Sequence, residues 1–167
     1  MNVETSAPGV WAAGDCAGSP HFTHISENDF QIIRDNILGG NRVTTGRQVP
    51  FCLFTDPELA RIGLSETEAK EQGVSYRLAK MPMNRVLRIG TLSEPRGIMK
   101  ALMDPGNDRI LGFTAFGWDA GEIMATVQVA MLAGLPYTAL RDAIFTHPTK
   151  SEGLIPLLAD VRQASQK

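Results

Sequence analysis

Apolar residues along this chain come in short runs and helical stripes, separated by turn formers. Pro8-Gly9 marks a turn, and Val10-Trp11-Ala12-Ala13 then reads as a strand buried on both faces. Gly14-Asp15 closes it and residues 17–20 continue as loop. A helix is expected to start between Pro20 and Ser26, with Ser26 and Asp29 as a plausible cap and Phe30, Ile33 and Ile37 as its apolar stripe. Gly39-Gly40 stops that helix, and the polar residues 41–48 read as a linker.

Beyond the linker, strands mix with helices. Residues 51–54 suggest a strand closed by Thr55-Asp56-Pro57, and Ser65 to Glu68 form a capping box for a short helix ending at Gly73. Residues 74–83 read as extended. Residues 97–103 and 109–116 read as a hairpin joined by Asp104-Pro105-Gly106-Asn107-Asp108. A helix over 119–133 has Asp119 as its cap, Glu122 in the first turn, and Ala120, Ile123, Met124, Val127, Ala130 and Met131 as a broad apolar face. Gly134 and Pro136 end it. Leu154, Leu157, Leu158 and Val161 share a final helical face, which Pro156 must either kink or restart.

Composition narrows the class. The 167 residues, 43% hydrophobic and 20% charged, suit one soluble core or one domain plus an appended piece. The formal net charge is −2 and no basic run occurs, so nothing points to nucleic acid as a partner. No apolar run is long enough to span a membrane, and the N-terminus lacks the blocks of a signal peptide, so a cytoplasmic location is expected. Cys16 and Cys52 are too far apart for a close redox pair and read as free thiols, Cys52 in the core and Cys16 more accessible. His21 and His24 lack the companions a zinc site needs, and the methionines read as packing residues.

The chemistry concentrates in His147-Pro148-Thr149-Lys150-Ser151-Glu152. An imidazole titrates near neutrality, and a carboxylate bonded to one ring nitrogen leaves the other for proton transfer. Residues five apart do not share a helical face, so His147 and Glu152 meet only if His147 lies before the helix and Glu152 in its first turn. The competing reading is a capping box over Thr149 to Glu152, in which Glu152 merely caps. Asp15, at a strand end before a helix, is placed either to bond sugar or polyol hydroxyls or simply to form a turn. A hydrolase using His147 and Glu152 lacks a nucleophile.

Four segments, in order, resemble the C-terminal part of the pyridine nucleotide–disulfide oxidoreductase family, which includes dihydrolipoamide dehydrogenase, glutathione reductase and mercuric reductase. Residues 5–15 (TSAPGVWAAGD) resemble its second flavin motif. Residues 54–73 (FTDPELARIGLSETEAKEQG) resemble the opening of its interface domain, and residues 109–122 (RILGFTAFGWDAGE) that domain's central strand and helix start. Residues 147–152 (HPTKSE) resemble its catalytic signature. The loop from Gly18 to His24 is similar to the mercuric-reductase-like branch. Phe145 stands where many members carry histidine, and Lys150 where an apolar residue is usual.

The resemblance implies an α+β fold, a mostly antiparallel and possibly mixed sheet with helices packed on it. Residues 47–167 would be the interface or dimerisation domain and residues 1–46 a strand–helix remnant of the FAD domain. It implies that Gly14 and Asp15 approach the ribityl chain of FAD, and that the backbone at Thr23 and His24 faces the flavin's pyrimidine end. It implies a homodimer in which His147, oriented by Glu152 and joined to Pro148 by a cis peptide, exchanges a proton with a thiol of the partner subunit. The intact parent would carry electrons from NAD(P)H through FAD to a disulfide, a metal ion or another small acceptor. The first flavin motif, the cysteine pair and the nucleotide-binding region of that family are not in this sequence. The expectation is therefore a fragment with an artificial or misassigned Met1 that associates but neither holds FAD nor turns over. The rival is a freestanding binding module using the same fold without redox chemistry.

Overall fold

The computed structural model describes residues 3–163 and divides into two compact units, residues 1–49 and 50–167. The second unit is built on a six-stranded sheet. Its strands are β1 (Phe51–Leu53), β2 (Glu58–Gly63), β3 (Arg77–Pro82), β4 (Ile98–Met103), β5 (Ile110–Gly117) and β6 (Arg162–Gln163). They lie in the order β1-β2-β5-β4-β3-β6, and every pair is antiparallel, so the sheet is not mixed. The α+β class is as expected.

The helices of the whole chain are α1 (Thr23–Ile37) in the first unit, and α2 (Glu66–Glu71), α3 (Leu87–Thr91), α4 (Ala120–Leu132), α5 (Tyr137–Arg141) and α6 (Leu154–Ala159) in the second. Strand alternation divides the apolar residues between the two faces of the sheet. Ala60 and Ile62 of β2, Met81 of β3, Met99 and Met103 of β4, and Phe113 and Ala115 of β5 join α4 and α6 in the main core. Leu78 and Leu102, on the other face, pack with Ala69 of α2 and Tyr76. Four of the methionines read as packing residues are fully buried there: Met81, Met83, Met99 and Met103.

The hairpin, the capping box at Ser65 and Glu68, and the buried face of α4 match their sequence signals. Other expectations need correction. Strands β2 and β6 and helices α3 and α5 were not foreseen. Each is short or sits beside turn formers, where periodicity has too few residues to register. Asp119 does not cap α4 with its side chain. It lies at φ 52° in the left-handed region, and its carboxylate goes to Lys150 instead. Pro156 neither kinks nor restarts α6, which begins two residues before it. A first-turn proline withholds a donor that has no intrahelical acceptor anyway.

In the first unit, residues 10–13 do not form a buried strand. Among the described residues an isolated bridge between Glu4 and Trp11 takes its place, and Val10 is exposed, because a two-face-buried strand needs neighbours on both sides. Helix α1 starts at Thr23 rather than being capped by Ser26. Its inward residues are Ile25, Asp29 and Ile32, and the expected stripe points outward, with Phe30 and Ile37 exposed. The side chain of Asp29 has partners waiting on the inner side, and this fixes the rotation of the helix.

Among the described residues no helix is long and apolar enough to cross a membrane.

Candidate functional site

The segment between α5 and α6 carries the histidine. A short 3-10 turn, Ser151–Gly153, precedes α6, and Gly153 is pressed against Val86: a Cβ there would come within 2.6 Å of Val86 Cγ2. This contact seats Glu152 against the core, and its side chain is only 16% exposed. The Glu152 N–H donates to Thr149 Oγ1 at 3.3 Å, which is half of the capping box. The other half is missing, because the carboxylate turns to the imidazole.

His147 Nδ1 and Glu152 Oε2 are 2.9 Å apart, while the His147 side chain is 65% exposed. A carboxylate can only accept, so Nδ1 is the donor and Nε2 is left facing outward as the working nitrogen. Glu152 Oε1 is buried without a hydrogen-bond partner among the described residues, so the contact with the ring is the hydrogen bond that the carboxylate makes among them. The His147–Pro148 peptide is cis, as the sequence suggested. Geometrically, a buried acid steers an exposed base, the arrangement a general acid–base group requires.

The first unit holds the other candidates. Gly14 opens a 3-10 turn, Gly14–Ala17, with φ +67°. A Cβ at that position would overlap Ser26 Oγ, so only glycine allows this approach of loop to helix. Its N–H donates to Asp29 Oδ2 at 2.8 Å. Asp15, next along, is exposed; its backbone carbonyl accepts from the Gly18 N–H at 3.0 Å, while its carboxylate shows no hydrogen bond or ion pair to the described residues. Thr23 and His24 begin α1, where Phe22 supplies no side-chain cap and the first turn carries no acid, and His24 stacks on Phe22 with ring centroids 5.3 Å apart. The donors at that end and the positive end of the helix dipole suit an anionic or electron-rich group.

Sequence reasoning missed a buried network behind these residues. Asp29 is fully buried and meets the Arg47 guanidinium, which also donates to Ser19 Oγ at 3.1 Å and Asn28 Oδ1 at 3.2 Å. Burial pulls the Asp29 carboxyl up, but bonds from Arg47, Ser19 and the Gly14 N–H outweigh it and hold the group below its ordinary value. The available signal was an acid at the 25/29/32 spacing of a helix's inward face. Arg47 lay in a stretch read only as linker. Of the two thiols, Cys16 is exposed and Cys52 half-buried against the main core. Burial first, and then Glu58 and Glu122, push the Cys52 thiol up, so it is a packing residue and a poor nucleophile.

Residues 49–157 match the model of the pyridine nucleotide-disulphide oxidoreductase dimerisation domain. The chain belongs to that family. It is similar to the probable pyridine nucleotide-disulfide oxidoreductase RclA of Escherichia coli K12, 40% identical over 96% of this chain and 37% of that protein. It is also similar to the dihydrolipoyl dehydrogenase of Thermus scotoductus, 37% identical over 92% of this chain and 33% of that one. The solved structure of the HOCl-induced flavoprotein disulfide reductase RclA from Escherichia coli superposes with a TM-score of 0.90 at 39% identity, covering 95% of this chain and 37% of that one. The chain thus spans about a third of the length of the relatives it matches. Its family is that of flavoprotein disulfide oxidoreductases, and the matched domain is the one through which they dimerise.

Proposed function

We propose that this chain is the dimer-forming part of an FAD-dependent NAD(P)H oxidoreductase and that it delivers His147, steered by Glu152, to the active site of a partner subunit. One observation carries the proposal: an imidazole 65% exposed whose Nδ1 is bonded at 2.9 Å to a carboxylate only 16% exposed. Neither cysteine of this chain, Cys16 or Cys52, lies near that ring in sequence. Exposed apolar side chains in the same unit supply the means of association. Phe54 is 87% exposed, Val129 67% and Leu132 65%, and Ile144 is fully exposed. Side chains of that size in water favour burial against a second copy, as expected for a homodimer.

In this reading Nε2 of His147 takes a proton from a thiol of the partner and returns it in the reverse step, while Glu152 holds the proton on Nδ1. Residues 1–46 form the end of the FAD domain. Their geometry fits the group: Asp15 offers a carboxylate to hydroxyls, Gly14 allows close approach, and α1 starts at Thr23 and His24 without a side-chain cap or a first-turn acid. Bound FAD supplies the electron relay between NAD(P)H and a disulfide, metal ion or other small acceptor. Gly14, Asp15, Thr23 and His24 are too few contacts to retain it, so the purified chain should show no flavin absorbance, and a flavin band near full occupancy would overturn that. The location is cytoplasmic.

The functional test uses a longer protein in which this chain takes the place of the matching third of the similar flavoprotein disulfide reductase RclA of Escherichia coli. His147→Gln there should lower disulfide or acceptor turnover roughly 10²–10⁴-fold, the usual worth of an acid–base group, with the flavin spectrum intact. Turnover within a few-fold of wild type would end the acid–base assignment and favour the freestanding binding module.

A further inference from the structure

The loop that carries His147 is poorly held by its own backbone. No backbone N–H from Ala143 to Lys150 donates to a backbone carbonyl among the described residues. Side chains must therefore set its position. Phe145 packs on the main core before the histidine. After it, Ser151 Oγ lies 3.5 Å from Thr126 Oγ1 of α4. Between them stands Lys150, whose Nζ binds the Asp119 carboxylate and sits 5.6 Å from the centroid of the Trp118 ring.

Trp118 and Asp119 form the two-residue junction between β5 and α4, two elements whose own buried side chains belong to the main core. Asp119 holds the left-handed conformation and leaves the start of α4 without a side-chain cap, so its carboxylate is committed to Lys150 at the expense of the ordinary N-cap bond. Lys150 is half-buried, so the ion pair and the cation–π contact are less screened than on an open surface. The lysine stands where the family resemblance leads one to expect an apolar residue. An apolar side chain could pack against Trp118, but it could not engage the anion.

We propose that Lys150 is a positioning residue for the His147–Glu152 pair: its bond to Asp119, with Trp118 beneath, fixes the loop so that the imidazole meets the carboxylate. It acts through the loop and touches no substrate. The proposal rests on the His147 reading for its functional meaning, but its test is independent of turnover.

The test is nitrogen-15 NMR of the histidine side chains in the full chain at alkaline pH, which reports the ring tautomer. His147→Gln assigns the signal among the three histidines. Wild type should show the proton on Nδ1. Lys150→Met, which removes the charge but keeps an unbranched chain, should shift the ring toward the Nε2–H form that an untethered imidazole favours. Lys150→Arg should restore the wild-type signature, since it keeps both the ion pair and the stacking. A wild-type tautomer in Lys150→Met would overturn the proposal. If Lys150→Met does not fold, Asp119→Asn decides by the same two outcomes, because asparagine tolerates the left-handed backbone. Loss of the tautomer in these variants with no effect of His147→Gln on turnover in the longer protein would instead leave the positioning intact and remove the acid–base role.

Discussion

The two units are stabilised in opposite ways. In residues 50–163 the sheet buries an apolar cluster that runs from Ala60 to Leu158, with Phe113, Ile123, Leu154 and four methionines at its centre. In residues 3–49 the buried apolar side chains of α1 are Ile25 and Ile32, and between them lies an ionised Asp29 clasped by Arg47. The first unit thus has a charge pair where the second has a core, and it leaves Phe30 and Ile37 in water. An apolar core tolerates imperfect neighbours, because its gain scales with area. A buried ion pair depends on each partner, because a lone buried charge is costly.

The largest expected effect is in the core. Phe113→Ala should lower the stability of the second unit by roughly 3–5 kcal/mol in a urea titration, since it deletes a fully buried ring from the middle of the sheet. A loss under about 1 kcal/mol would show that the core is not what holds this unit. Next is Asp29→Ala, which strands Arg47 and should cost the first unit about 3 kcal/mol, read as lost amide protection in α1 with β5 unchanged. Unchanged protection in α1 would break the contrast.

The same pair predicts an acid response. The folded Asp29 value lies below its ordinary 3.8, so its contribution is complete above that value and is lost as pH falls through the lower folded value. Protection of α1 amides should therefore decline on acidification below about pH 4, and Asp29→Ala should remove that step. The smallest effect is Phe30→Ser, expected to change stability by no more than about 0.5 kcal/mol in this chain, because the ring is already exposed. A large destabilisation would mean that the outward stripe of α1 is covered.

The same contrast explains what could be read from sequence. The hairpin, the Ser65 capping box and the face of α4 follow from local rules that act within a few residues, so they were legible. So was the meeting of His147 with Glu152, because a histidine outside a helix start and a glutamate inside it can join without any distant partner. The rotation of α1 was not legible. It is decided by Arg47, eighteen residues from Asp29, and periodicity assigns Phe30, Ile33 and Ile37 inward because it cannot see that an acid will be paired. In the sequence Lys150 is likewise only a departure from pattern, since its partner Asp119 lies thirty-one residues away at a position whose local signal is that of a helix cap.

That outward apolar side chains of the second unit seat a second copy, and so bring His147 to its work, can be tested by isotope-filtered NMR on a mixture of labelled and unlabelled chains. The account predicts inter-chain contacts at the methyl groups of Val129, Leu132 and Ile144 that fade on dilution, in a species of twice 18.1 kDa. A single 18.1 kDa species at every concentration, with no inter-chain contact at those methyls, would contradict it.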